Sequence, residues 1–363
     1  MNKQINALML LTSLVFSTTP TIANNLNDLD LNNDFSGLKP LEAVQGYQPP
    51  VRVSAGVLKY PKARAVKSQE GIVEFLFMVE TDGTTSELVV IDSTHSDFEK
   101  STRSLILESK YEPAIWNGEP KRSMESLRAI FRMNNSQPKA SDEFYRPYKR
   151  VRREFEKANP EQNKIRKDLD RMHKASFLNM YTLSFLYLEE YQYATTFLGK
   201  NEQLYALQQL LMFDDRLDKK EQFLEFEILK SIRMNILQLL IQLGRYGEAR
   251  NNYYVLQKEI PEAAEPFAEP MAQVQERLDS GEVLVRQLKL KDRGSEYIYL
   301  TRNNLEIHNV KGQLEKMNFY CSMGFSSLEF KPESSYQIPD SWGSCNLLLV
   351  GEPGTTATLY QNR

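Results

Sequence analysis

Two cysteines, three histidines and 16 glycines are few for 363 residues. Cys321 and Cys345 stand 24 apart with no C-x-x-C spacing, which argues against a thioredoxin-type redox pair or a zinc knuckle. His95, His173 and His308 are scattered along the chain, so no helix-borne pair of metal ligands is present. No Gly-rich loop suited to cradling phosphates occurs. An excess of one charge is also missing: 45 Lys and Arg against 48 Asp and Glu leave −3. That balance gives no reason to expect nucleic acid or an anionic membrane as a main partner. The apolar run at residues 7–17 is shorter than the ~20 residues a membrane-spanning helix needs.

What is present is globular in character, with 41% hydrophobic and 26% charged residues. The length suits two or three domains. Residues 1–23 fit a secretory signal: Lys3, then the apolar run, then Thr21-Ile22-Ala23 as a small-residue cleavage site. The expectation is an exported, periplasmic protein, attached to the inner membrane only if this segment is retained. In an oxidising compartment Cys321 and Cys345 are most simply a structural disulfide, contributing ~3 kcal/mol.

Residues 55–133 form the most informative stretch. Tyr60-Pro61 opens a short helical run over 62–68. Residues 71–80 alternate, with Val73, Phe75, Phe77 and Val79 on one face and Glu74, Leu76, Met78 and Glu80 on the other, a strand pattern. Asp82-Gly83 suits a tight hairpin, and residues 87–92 return. Ser96 and Glu99 fit a capping box for a helix carrying Phe98, Leu105 and Ile106. Asn117-Gly118 is a second turn, and residues 126–133 form a last strand.

The order helix, strand, strand, helix, strand resembles the C-terminal domain of the TonB energy-transducer family. The residues that carry the resemblance are Tyr60-Pro61, the strand from Gly71 to Val79, Asp82-Gly83, Ile91 to Ser93, Phe98-Glu99, Lys110 to Ala114 and Asn117-Gly118. The resemblance implies docking by strand addition, in which a partner segment pairs with the sheet edge. It also implies cell-envelope partners, either TonB-dependent outer-membrane receptors or inner-membrane motor components. The matching edge is residues 126–133, with Ser126, Arg128, Ile130 and Arg132 as the partner-binding set. The chain departs from the family in lacking a long Pro-rich spacer, since only about 27 residues separate the signal from the domain, and in carrying further domains after it. These departures favour a scaffold that binds partners through its other domains, without energy transduction, as the alternative.

Residues 24–50, rich in Asn and Asp, are expected to be mobile, and the polar segment 134–143 to be a linker. Residues 144–280 read as helices. Asn159-Pro160 marks a helix start and residues 165–189 read as one long helical pattern. Gly244, Tyr246, Glu248, Ala249, Tyr253 and Pro261 fall at the spacing of the second half of a tetratricopeptide repeat, with Tyr191 and Ala194 as a degenerate earlier copy. Residues 281–363 read as short strands punctuated by Gly, Pro and Asn, expected to form a small β-sandwich. The fold class is therefore α+β multidomain: a small TonB-like sheet, an all-α region and an all-β region.

No nucleophile with a base is visible. Asp92, Ser93, His95 and Asp97 superficially resemble a triad, but neighbours on one strand end do not converge as triad members from separate segments do. Asp214, Asp215 and Asp218 lack the glycine and ligand spacing of a calcium loop. The basic run Arg146, Lys149, Arg150, Arg152 and Arg153 is followed by Glu154 and Glu156, as on a solvated helix face. No enzyme, metal or cofactor is expected.

Overall fold

The computed structural model describes residues 47–133, 139–213, 224–291 and 293–362. The signal segment and Asp214, Asp215 and Asp218 lie outside them. An α+β unit, a helical region and a β-sheet region follow one another.

The α+β unit is built on β3 (Gly71–Val79), paired antiparallel with β4 (Thr85–Ser93) on one side and β8 (Ser123–Phe131) on the other. Gly83 takes φ 77° in the β3–β4 turn and lies against the Tyr111 carbonyl, where no Cβ fits. Helix α1 (Lys62–Val66) precedes the sheet, and helix α2 (Ser96–Glu108) covers one face of it. Val73, Phe75, Phe77 and Val79 pack with Phe98, Leu105, Ile106 and Phe131. The opposite face is largely covered as well. Leu76 and Met78 pack with Tyr320 and Leu348 of the β-sheet region, and Ile72 joins the helical core. A strand buried on both faces reads as a near-continuous apolar run, as Ile72–Val79 does apart from Glu74.

Several local expectations shift. The last strand spans Ser123–Phe131, so Arg132 and Met133 follow its end. His95, not Ser96, caps α2: its backbone is extended and its Nδ1 accepts from Asp97 N–H at 3.1 Å. An acceptor Nδ1 requires neutral imidazole, and burial, aided by Arg64, holds the His95 pKa below its usual value. Tyr47–Gln48, expected to be mobile, form β1 and pair with β6 (Ala114–Trp116), and β2 (Val51–Ser54) pairs with β5 (Lys110–Glu112). Asn117 (φ 50°) and Gly118 (φ 82°) then turn the chain into β7 (Glu119–Lys121), the positive-φ pair an Asn-Gly hairpin requires.

The helical region comprises α3 (Asp142–Phe155), α4 (Gln162–His173), α5 (Met180–Phe197), α6 (Lys200–Leu211), α7 (Phe226–Gln242), α8 (Tyr246–Glu259), a short α9 (Pro261–Ala264) and α10 (Ala268–Asp279). The expected linker ends early, because Ser141 caps α3 through Phe144 N–H. The pattern at 165–189 is two helices, not one. Phe177 takes φ 58°, and Asn179 and Thr182 form a capping box that starts α5. Ala175 and Leu178 in the break are buried too, so the apolar periodicity runs through it and conceals it. Gly244 (φ 67°) closes α7 before α8, where Ala249 and Tyr253 are buried.

The last region stacks two four-stranded sheets across one apolar core. One holds β10 (Ser295–Tyr299), β15 (Cys345–Gly351), β12 (Leu314–Cys321) and β13 (Gly324–Glu329), in that order. The other holds β14 (Ser335–Gln337), β11 (Asn304–Lys311), β16 (Thr356–Asn362) and β9 (Leu284–Lys289). The disulfide Cys321–Cys345 joins directly paired positions of β12 and β15. On β15, Leu347 and Leu349 face the inner core while Leu348 and Val350 face the α+β unit. The layers thus run α2, the three-stranded sheet, then the two sheets of the β region.

Candidate protein-interaction site

Strand β8 is an edge: among the described residues it pairs with β3 alone. Ser126 is exposed, and its N–H donates to the Glu125 carboxylate at 2.7 Å rather than to β3. Successive residues of an antiparallel strand direct their backbone groups to opposite sides. With the β3–β8 register regular throughout, Arg128 and Ile130 share the outward orientation of Ser126.

Their side chains are less available. Arg128 lies 3.7 Å from Glu74, its cross-strand partner. Ile130 is half-buried against the helical core. Met124 packs into the junction with the β region, and the Arg122 guanidinium sits 4.6 Å over the Phe325 ring. The sheet face carrying the expected binding set is therefore largely an internal junction, and Ser126 is the member of that set that stands in solvent.

The junction is polar at one point. Asp92 on β4 stands opposite Glu74. Ser93 N–H donates to its Oδ1 at 2.7 Å, and the Gln209 amide of α6 donates to its Oδ2. Burial pushes the Asp92 carboxyl up to about 6, against the Ser93 N–H and Lys291. Burial likewise raises Glu74, opposed by Arg128. An unfolded aspartate titrates near ~3.9, so between these values the native state binds more protons than the unfolded one. The stability linked to Asp92 is full below that lower value and is lost as pH rises through about 6. Asp92→Asn removes this dependence. Its stability relative to wild type, measured by urea unfolding, is expected to rise by on the order of 2 kcal/mol between about pH 4 and about pH 7. A difference constant over that range would contradict the assignment.

The triad-like group does not assemble a catalytic centre. Ser93 Oγ donates to the His95 carbonyl at 3.0 Å, and His95 Nδ1 is engaged at the helix cap. Among the described residues no three His, Cys, Asp or Glu side chains are grouped to hold a metal, and no helix is long and apolar enough to cross a membrane.

Residues 57–133 match the family described as Gram-negative bacterial TonB protein C-terminal. The N-terminal unit resembles that domain, a non-catalytic protein-interaction module. A solution NMR structure of the Pseudomonas aeruginosa TonB CTD is similar at 21% identity, covering 26% of this chain and 92% of that one, with a TM-score of 0.22. Comparison with curated proteins finds no match.

Three features of the TonB-like unit's surroundings escape sequence patterning. Glu70, buried in the chain before β3, accepts from Met133 N–H at 2.9 Å and from Met180 N–H at 2.8 Å. Glu248 on α8 is buried with Arg286 of β9. Arg302 donates to the carbonyls of Arg277 and Ser280 at the end of α10. Glu70 and Arg302 sit in no local motif, and the helical spacing that includes Glu248 does not point to its partner on β9. The available signal was the apolar second face, since Leu76 and Met78 beside Val89, Ile91 and Met124 require a cover.

Proposed function

We propose that this protein is a periplasmic envelope scaffold that binds protein partners through several surfaces and does not transduce energy. The observation that carries the proposal is the covering of the TonB-like sheet. Its second face is packed against the β region and the helical region, so the unit is built into a larger body rather than offered as a separate docking head. The α7–α8 hairpin, with Gly244 at the turn and Ala249 and Tyr253 buried on α8, supports a tetratricopeptide-like docking surface.

A second reading keeps strand addition at β8, acting around TonB-dependent transport. It is favoured by one observation, the outward N–H of exposed Ser126. The two readings separate on one variant. Ser126→Pro removes an outward donor that takes no part in the ladder, so the sheet is spared. Crosslinking mass spectrometry on intact envelopes then compares it with wild type. The scaffold predicts crosslinks centred on the helical and β regions and unchanged by Ser126→Pro. Crosslinks centred on β8 and lost in the variant would overturn the scaffold in favour of strand addition.

A further inference from the structure

Helices α3 and α4 leave a cleft of about 440 Å³ between them. Six cations line it: Arg150, Arg153 and Lys157 from the α3 side, and Lys164, Lys167 and Arg171 from the α4 side. Two carboxylates share the lining, Glu154 and Asp168. Positive charge thus converges on a concave site in a chain whose net charge is −3. Like charges gathered in this way repel; Asp168, Glu154 and Glu161, the last paired with Lys164, offset only part of the charge, and the cleft keeps a net positive excess.

The carboxylates do not fill the site; they hold part of it in place. Asp168 is buried. It accepts from Arg150 Nε at 2.8 Å, from Arg150 Nη2 at 2.7 Å and from Arg171 Nη1 at 2.7 Å. Burial alone would raise its carboxyl, but the two guanidinium groups outweigh burial and keep it below its usual value, hence ionised. Both arginines keep further N–H donors beyond those spent on Asp168. Glu154 is taken up by Lys157 at 2.7 Å and by Glu161 N–H at 3.2 Å. Arg153 and Lys167 are exposed and form no ion pair among the described residues. The cleft therefore combines two oriented guanidinium groups with two exposed cations that form no ion pair among the described residues.

We propose that the α3–α4 cleft is a binding site for a compact phosphate-bearing anion. The charge decides the class. A single carboxylate brings one charge, whereas a phosphate group brings up to two with three acceptor oxygens, the pattern that guanidinium forks recognise. The volume lies within the ~300–1,000 Å³ of ordinary small-ligand sites. The phosphate has two sources, a soluble phosphorylated molecule or the headgroup of an anionic phospholipid.

The test uses the whole mature protein and two probes, inorganic pyrophosphate by titration calorimetry and phosphatidylglycerol vesicles by co-sedimentation. Arg153→Glu with Lys167→Glu is the cleft variant, since both residues are exposed and unpaired. Lys62→Glu with Lys289→Glu, both exposed and remote in sequence, is the charge-matched control. Pyrophosphate binding that weakens about tenfold or more in the cleft variant, and about twofold or less in the control, supports the site and a soluble source. Vesicle binding lost only in the cleft variant, with no pyrophosphate binding, supports it and assigns the headgroup. Absence of binding to both probes, or equal loss in the cleft variant and the control, overturns it.

Discussion

Glu248→Ala is expected to destabilise the protein by ~3–5 kcal/mol, because removing one member of a buried charge network strands its partners. Glu248 accepts from Arg245, three residues earlier, and from Arg286 Nη1 of β9 at 2.9 Å. Arg286 reaches on to Glu296 of β10 at 3.3 Å. Glu248 is 5% exposed and Arg286 is 8% exposed, so water cannot replace the lost carboxylate. Burial already pulls the Arg286 guanidinium below its usual pKa, with Arg245 adding to the effect. In the variant, two guanidinium groups would share Glu296 alone among the carboxylates of this network. The triple variant Arg245→Leu, Glu248→Leu and Arg286→Met should recover much of the loss, since it removes every group that depends on the Glu248 carboxylate and replacing a buried ion pair or triad with apolar groups is often near neutral. Urea unfolding of wild type, single and triple variants checks both. A single-variant loss below about 1 kcal/mol, the range of an exposed pair, would show that the network does not join the helical and β regions.

Glu70→Leu comes next, with an expected loss of about 3 kcal/mol from two charge-assisted hydrogen bonds. The side chain keeps similar bulk but leaves the N–H groups of Met133 and Met180 without their acceptors. Met180 is the first residue of α5, where a carboxylate also meets the positive end of the helix dipole. The loss falls on a seam. Glu70 N–H donates to the Leu178 carbonyl at 2.7 Å, the Gln69 amide to the Ala175 carbonyl at 2.8 Å, and Phe177 N–H to the Lys67 carbonyl at 2.9 Å. Glu70→Gln retains one acceptor oxygen and should cost less. Urea unfolding gives the size of the effect, and faster hydrogen exchange at Met180 gives its place. Equal stability of wild type and Glu70→Leu would remove this seam from the account.

The turn chemistry of the TonB-like unit was legible because it is local. Gly83, Asn117 and Gly118 take positive φ values at the two turns, and the alternation from Val73 to Val79 names one buried face. The cover on the other face was not legible, because it comes from residues more than 200 positions away, such as Tyr320 and Leu348. Ile130 could be assigned to an outward strand position by parity, yet its burial depends on the helical region. Strand β16 carries a weak sequence signal for a different reason. Thr356–Asn362 mixes threonines with Ala357, Leu359 and Tyr360, and its buried Thr358 and Gln361 give little hydrophobic contrast. The basic run on α3 could be read from sequence, but α4 supplies the other half of the cleft, which only the packing of the two helices reveals.

The central claim is that the TonB-like sheet and the β region share one packed junction. Native-state hydrogen exchange under increasing urea tests it most directly, through peptides covering β3 (Gly71–Val79) and β15 (Cys345–Gly351). The account predicts that the two peptides open together, with the same free energy and the same denaturant dependence, in one cooperative event. Opening of β3 at lower urea, with β15 still protected, would show the TonB-like unit to be an independent domain and would contradict the account.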